Sequence, residues 1–107
     1  CHQANGRGLY PVYPPLVDSE YVIGDPARPA SIIMHGVEGP IEVLGRTYNQ
    51  QMPPVPIKED ADIAAVMTYI RQAWGNDATP IGPELVREVR AATDGRGRPM
   101  TAQDLDH

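Results

Sequence analysis

Twelve prolines and ten glycines among 107 residues constrain the fold of this chain more than any other feature. Proline cannot donate a backbone hydrogen bond and glycine weakens a helix interior, so this composition is typical of long ordered loops between a few helices. The length allows one domain of ordinary size and not two. Hydrophobic residues make up 41% of the chain, but there is no Phe and only one Trp. Either aliphatic side chains or a buried prosthetic group must therefore fill the core.

The charge and the hydropathy of the chain exclude several classes of function. The net charge is −5, from 9 Lys and Arg against 14 Asp and Glu, which argues against a nucleic-acid-binding protein and gives no reason to expect attachment to anionic lipid. No apolar run approaches the roughly 20 residues of a membrane span, and no signal peptide is visible. A single cysteine cannot form an internal disulfide.

Helical periodicity occurs in three segments. The first is a short helix at roughly 26–35, with Asp25-Pro26 as its start signal and Gly36 placed to end it. The strongest is 59–75, with an acidic first turn and an apolar stripe that includes Trp74. A further helix is predicted at about 83–92, with a proline near its start. The remaining apolar positions of the two later helices are Ile63, Val66, Met67, Ile70, Leu85, Val86 and Val89.

The other segments are predicted to be loops. Residues 1–24 form a loop with a turn of helix near 18–22, and 39–57 contain a small hairpin or an extended stretch. Met52 precedes two prolines, so it lies in an extended, stiffened segment. Residues 94–107 are a polar tail in which Met100 and His107 are expected to be solvated, apart from a Thr101-to-Asp104 capping signal.

Cys1-His2 and Met52 are the residues with the clearest chemistry. A c-type haem site needs a thiol that adds to a haem vinyl group and a histidine directly after it that binds the iron. A thioether is a soft, neutral ligand suited to the same iron. Alone, the Cys-His pair is more simply a chance dipeptide, and a single Met is more often a core residue. His35 is a less favoured alternative ligand, and Cys1 as a nucleophile lacks a base partner beyond its neighbour.

The order of the motifs along residues 1–76 resembles that of bacterial class I cytochromes c. It is similar in particular to the cytochrome subunits or domains associated with periplasmic dehydrogenases and nitrite reductases. The matching motifs are Cys1-His2-Gln3-Ala4-Asn5-Gly6-x-Gly8, Tyr13-Pro14-Pro15-Leu16, His35-Gly36, Gly39-Pro40-Ile41, Tyr48-Asn49-x-x-Met52-Pro53 and Asp62-Ile63-Ala64-Ala65-Val66-x-x-Tyr69-Ile70-Arg71-x-x-Trp74-Gly75-Asn76.

The resemblance implies an all-α, small cytochrome c-like fold, with few helices and long loops wrapped around a haem. It makes Cys1 the second thioether cysteine, His2 the proximal iron ligand and Met52 the distal one. The proline carbonyl that orients the proximal imidazole would belong to Pro15 or its neighbour. The residues that would line the haem or close the core around it are Tyr48, Trp74, Ile33, Val43, Ile63, Met67 and Ile70.

The chain departs from the family pattern at its beginning. The family has an N-terminal helix and a first thioether cysteine before the position of Cys1. Without that helix, apolar residues of segment 59–75 lose a partner, at about 1.5–3 kcal/mol for each large side chain left exposed. We therefore expect a truncated sequence or a missing piece supplied elsewhere, in preference to a natural single-thioether protein.

The resemblance implies electron transfer through a covalent haem c with His/Met ligation, by a periplasmic carrier that is not an enzyme. Its partners would be redox proteins such as a dehydrogenase, reductase or oxidase. We expect a haem domain at 1–76 and a helical extension with a polar tail at 77–107. The extension motivates one alternative, a cytochrome subunit or domain of a larger periplasmic oxidoreductase. The others are a haem-free helical binding module and a sensor or peroxidase-like haem protein with Met52 displaced.

Overall fold

The computed structural model describes residues 1–105, so the expectation for His107 lies outside the described residues. The helices and strands are short and the loops between them are long, as the proline and glycine content predicts. In chain order they are α1 (Glu20–Ile23), α2 (Ala27–His35), β1 (Ile41–Val43), β2 (Arg46–Tyr48), α3 (Asp60–Gln72), α4 (Pro83–Ala92) and α5 (Ala102–Leu105). The fold is thus mostly helical, with one small sheet.

Helix α2 begins and ends at the residues that the sequence marks. Asp25 Oδ1 accepts a hydrogen bond from the backbone N–H of Ala27 at 3.0 Å, so its side chain caps the first turn. Gly36 has a φ of 77° and its N–H donates to the Ile32 carbonyl at 2.7 Å. A β-carbon at Gly36 would collide with the Met52 carbonyl, so this position requires glycine for close approach as well as for conformation.

Helix α3 is shorter than its apolar pattern predicts. It ends at Gln72 and a 3₁₀ turn, Ala73–Gly75, completes the predicted segment. Trp74 lies in that turn with a φ of 55°, in the left-handed region. The predicted helix at 83–92 agrees with the bounds of α4, which begins with Pro83 at its first position.

Strands β1 and β2 form the small hairpin that was one of the two structures predicted for this segment. They pair antiparallel, with Ile41 opposite Tyr48 and Val43 opposite Arg46. The connecting residues Leu44 and Gly45 both have positive φ, at 51° and 79°, which is the turn geometry that matches the twist of a two-residue hairpin.

The buried side chains form two clusters. The first joins α2, α3 and α4 through Ala30, Ile33, Ile63, Ala64, Met67, Val86 and Val89. The second joins the hairpin to the end of the chain through Val37, Ile41, Val43, Tyr48, Met100 and Leu105. Helix α4 is therefore part of the main core of the molecule.

The apolar stripe of α3 divides between core and surface. Ile63 and Met67 are fully buried, whereas Val66 is 39% exposed. Val66 therefore lies on a side of α3 that is partly open to solvent.

The prediction that Met100 is solvated is wrong. Its side chain is 5% exposed, and Leu105 in α5 is equally buried. The Thr101-to-Asp104 signal does mark a helix start, because Asp104 Oδ2 accepts from the Thr101 backbone N–H at 3.0 Å. The burial of Met100 arises from pairing with residues more than 60 positions earlier, which leaves no local pattern in the sequence.

A helix needs both sufficient length and apolar character to cross a bilayer. Within residues 1–105, none of the helices combines the two.

Candidate cofactor site

Two adjoining cavities of about 230 and 200 Å³ lie between the N-terminal loop, α2 and the hairpin. His2 and Met52 line both of them, together with Pro14, Val37 and Ile41. The structure therefore brings a histidine and a methionine that are fifty residues apart to the same internal space.

A backbone carbonyl fixes the ring of His2. Its Nδ1 lies 2.7 Å from the Pro14 carbonyl oxygen. Since a carbonyl can only accept, the proton of the neutral ring is on Nδ1, and the lone pair on Nε2 is left for a metal. The orienting carbonyl is thus that of Pro14, the neighbour of Pro15, while Pro15 lines the larger cavity.

The loop that carries His2 is folded back on itself by backbone hydrogen bonds. The N–H of Gly8 donates to the His2 carbonyl at 2.9 Å, and the Gly6 carbonyl accepts from Leu16 at 2.7 Å and from Val17 at 3.0 Å. These bonds join the Cys1-His2 loop to the loop that contains Pro14. The imidazole and its carbonyl partner are consequently held by one network.

Met52 is held on the residues that follow α2. Its N–H donates to the Val37 carbonyl at 2.8 Å, and its own carbonyl accepts from the Val37 N–H at 3.0 Å. Further along, the Val55 N–H donates to the Ile33 carbonyl at 2.9 Å. Pro53 and Pro54 between these anchors reduce the freedom of the segment. The thioether is therefore presented from a stiffened loop that is fixed at both ends.

Cys1 and Tyr48 both line the smaller cavity. The Cys1 thiol is free and exposed, and the side chain of Tyr48 is 5% exposed within the second cluster. Tyr48 also makes an edge-on contact with the Tyr10 ring, with centroids 5.5 Å apart. A thiol thus stands next to the histidine, at the rim of an apolar space.

Trp74 is not among the residues that line either cavity, and its predicted place beside a haem or in the core around it stays a prediction. The indole packs on Gly6 instead, where a β-carbon would fall 2.5 Å from two ring atoms. Its Nε1 donates to the Ala4 carbonyl at 3.0 Å. The indole also makes an edge-on contact with the Tyr69 ring of α3, with centroids 5.8 Å apart. Trp74 therefore closes the Cys1-His2 loop from outside.

Three of the five predicted aliphatic residues, Ile33, Val43 and Ile70, line the larger cavity. Ile63 and Met67 lie in the first cluster and do not line it. They are fully buried between α2, α3 and α4, so they close the core behind the site.

His35 is turned away from the cavities. Its Nε2 lies 2.7 Å from Thr93 Oγ1, at the end of α4. Burial, and next the Arg96 and Arg90 guanidiniums, hold the pKa of His35 below its usual value of 6.5. The neutral ring is favoured, and its contact joins two helices.

Asn76 is a residue whose importance the sequence interpretation missed. Its side chain is buried; Oδ1 accepts from the Asp18 N–H at 2.8 Å, and Nδ2 donates to the carbonyls of Leu16 and Ile70. It thereby ties the loop after Pro14 and Pro15 to α3. Sequence gives no signal for such a bond, because the partners lie 58 and 60 positions away.

The donor set and the lining fit an apolar, planar group that carries a soft metal ion. Within the part of the chain that the structure describes, no Asp, Glu, Lys or Arg side chain lines either cavity. The imidazole of His2 and the thioether of Met52 are the two potential metal ligands that line both cavities. This combination suits iron in a porphyrin and does not suit a hard cation, which prefers several oxygen ligands.

Comparison with known proteins agrees with this site. The family model for cytochrome c matches residues 1–74. Cytochrome c-552 of Thermus thermophilus is 35% identical over an alignment of 100 residues; the match covers 85% of this chain and 76% of that protein. A second cytochrome c-552, from a designated strain of the same species, is also 35% identical over 100 residues, covering 85% of this chain and 68% of that protein. Since the family model spans more than half of the chain and both relatives are 35% identical, this chain belongs to the cytochrome c family, whose members transfer electrons through a covalently bound haem.

Proposed function

We propose that this chain is an extracytoplasmic electron carrier whose haem iron is bound by His2 and Met52 and whose haem is tethered through Cys1. The observation that carries this assignment is the presence of both donor side chains in the lining of the same two cavities. Membership of the family supports the haem and the electron transfer, and the geometry supports the identity of the ligands.

His2 suits the proximal position because its ring is already oriented. The Pro14 carbonyl holds the Nδ1 proton at 2.7 Å, which selects the tautomer with a free Nε2 lone pair. The same hydrogen bond makes the imidazole a more basic ligand. No rearrangement of the His2 loop is then needed for metal binding.

Met52 suits the distal position because the backbone fixes it on two sides and the prolines stiffen it. Cys1 precedes His2 directly, so a thioether at Cys1 would restrain the same loop that holds the proximal ring. A bound haem would supply one-electron exchange at its iron, at a potential raised by His/Met ligation. The residues of this chain would bind the iron through His2 and Met52 and exclude water with aliphatic side chains. One edge of the haem would stay accessible near Cys1.

If His2 and Met52 both bind the iron, no position would be left for a substrate, which favours a carrier over a haem enzyme. The partners of such a carrier are redox proteins that dock briefly through small contacts. Covalent haem attachment in bacteria takes place outside the cytoplasmic membrane, and this supports a periplasmic location.

The alternative, a subunit or domain of a larger oxidoreductase, draws its support from residues 77–107. Val86, Val89, Met100 and Leu105 of this extension pack inside the chain, so they serve the fold and not a partner. Co-purification of the native protein with a catalytic chain at fixed stoichiometry would favour this alternative. The haem-free binding module is inconsistent with membership of a haem-binding family.

The test uses holoprotein matured with its haem. We expect an intact mass higher by one haem, a Cys1→Ala variant without the covalent adduct, and a ferric far-red band from sulfur-to-iron charge transfer. Met52→Ala should lose that band and lower the reduction potential, because the thioether is what raises the potential. Met34→Leu is the matched control and should keep both properties. A Met52→Ala protein with an unchanged band and potential would refute the assignment of Met52.

A further inference from the structure

Segment 36–38 has a neighbouring backbone segment on each side. Val37 exchanges both of its backbone hydrogen bonds with Met52, at 2.8 and 3.0 Å. On the other side, the Gly36 carbonyl accepts from Met100 at 2.9 Å and the Glu38 N–H donates to the Met100 carbonyl at 2.8 Å. Met52 and Met100 are thus the outer members of a three-segment arrangement with Val37 at its centre.

The side chains of the three segments also pack against one another. Val37 and Met100 are 6% and 5% exposed and belong to the second cluster, against which Met52 packs. Leu105 is buried in the same cluster. The segment that carries Met52 therefore rests on a surface to which the end of the chain contributes.

Residues 100–105, which we call the C-terminal clip, are fastened by polar contacts of their own. The Asp104 carboxylate accepts from the N–H and the hydroxyl of Thr101, both at 3.0 Å, and forms an ion pair with Arg96 at 2.6 Å. Arg28 Nε on α2 donates to the Leu105 carbonyl at 3.1 Å. The clip is held at both ends, although much of this region is polar in sequence.

We infer that the C-terminal clip positions Met52, and so sets how firmly the thioether holds the iron against competing ligands. This inference rests on the proposed ligation by Met52. When the clip is docked, segment 36–38 is held in the conformation that pairs with Met52. The docked clip and the iron-bound thioether of Met52 therefore stabilise each other. The clip residues are positioning residues, since they act on the metal through Val37 and Met52.

The first test is competition by imidazole, a ligand that displaces the methionine from ferric iron. Asp104→Ala removes the carboxylate that fastens the clip, and Leu105→Ala removes its buried anchor. Both variants should bind imidazole at least about fivefold more tightly than wild type, followed by loss of the far-red band. Asp60→Ala is the matched control, because it also breaks an Asp–Arg pair, with Arg90 at 2.8 Å, away from the clip. It should bind imidazole like wild type.

The second test is reciprocal. If the clip favours the bound thioether, displacing the thioether must loosen the clip by a similar factor. Saturating wild-type protein with imidazole should therefore speed hydrogen exchange at the N–H groups of Met100 and Glu38, while that of Met67 in α3 stays protected.

The outcomes distinguish failure of the proposed Met52 ligation from failure of the proposed role of the C-terminal clip. A wild-type protein without the far-red band would overturn ligation by Met52, and this inference with it. If the band is present but Asp104→Ala and Leu105→Ala unfold more easily with unchanged imidazole affinity, the clip is only structural and the inference is wrong. Unchanged exchange at Met100 and Glu38 in imidazole would refute it as well.

Discussion

At the scale of single residues, the loop that carries Cys1 and His2 depends on the absence of a side chain at Gly6. This residue is buried with a φ of 70°, and the Trp74 ring lies where its β-carbon would be. Any substitution at Gly6 should therefore destabilise the folded state in two ways, through the left-handed backbone and through the collision with the Trp74 ring.

Gly6→Ala should destabilise the protein by about 2–5 kcal/mol, the sum of a left-handed backbone penalty and overpacking. Denaturant unfolding of the holoprotein measures this. Gly39→Ala is the control for the backbone penalty alone, because Gly39 has a φ of 77° and nothing within 4 Å of its β-carbon position. Equal losses in the two variants would show that the Trp74 contact has no energetic weight.

Asn76→Ala should lower the free energy of unfolding by about 2–3 kcal/mol, because it leaves the Leu16 and Ile70 carbonyls and the Asp18 N–H without their partner. Gln72→Ala removes a single exposed side-chain bond and should change stability by less than about 0.5 kcal/mol. Thermal and denaturant melts of both variants test this. A loss at Asn76 as small as that at Gln72 would contradict the role assigned to it.

A comparison of Asn76 with Asp104 shows which structurally important contacts can be predicted from the sequence. Thr101 and Asp104 are three positions apart, so their capping pattern is visible in the sequence and is present in the structure. Asn76 acts on Leu16, and Met100 pairs with Gly36, across about sixty residues of chain. Such pairings depend on the folded arrangement of loops, which periodicity and propensity do not describe.

At the scale of elements, α2 and α4 are joined by the contact between His35 and Thr93. The pKa of His35 is held below 6.5 by burial and then by Arg96 and Arg90. The unfolded chain therefore binds the proton more readily than the folded one. The stabilisation that depends on neutral His35 is fully present above about pH 6.5 and is lost as pH falls through the lower pKa of the folded state.

We expect the free energy of unfolding to fall between pH 7.5 and about pH 5 in wild type, and to fall less in His35→Gln, which cannot titrate in this range. Denaturant titrations at several pH values give both slopes, and all other titrating groups are common to the two proteins. A variant slope as steep as that of wild type would exclude His35 as a source of the dependence.

The bounds of α2 and α4 were predictable because their caps and apolar spacing lie within the helices themselves. Helix α3 ends earlier than its pattern predicts because Ala73 is extended, with a ψ of 163°, and Trp74 after it is left-handed and packs on Gly6. Helix α5 was not predicted because it has only four residues, and the burial of Leu105 depends on partners that are distant in the sequence. At the site, the pair of donors and the proline carbonyl followed from the resemblance, but the choice of Pro14 required the structure.

At the scale of the whole molecule, the net charge is −5, whereas the described residues that line the apolar site include no Asp, Glu, Lys or Arg side chain. The rate at which the protein meets small charged reagents should therefore depend on the electrostatic field of its whole negatively charged surface. Docking contacts next to Cys1, in contrast, would be made by uncharged side chains such as Val12, Gln50 and Gln51.

Oxidation of the ferrous protein by a cationic metal complex should slow as ionic strength rises, and oxidation by an anionic complex should speed up, because salt screens attraction in the first case and repulsion in the second. Stopped-flow rates over a range of salt concentrations measure both. The same sign of response for the two reagents would contradict control by the net charge.

The central claim, that Met52 binds the iron opposite His2, is tested most directly by proton NMR of the ferrous holoprotein. A methyl group held over the face of a porphyrin is shifted far upfield by the ring current. The account predicts one methionine methyl resonance with such a shift, absent in Met52→Ala and retained in Met34→Leu and Met100→Leu. A shifted resonance that survives the loss of Met52, or its absence from the wild-type spectrum, would contradict the claim.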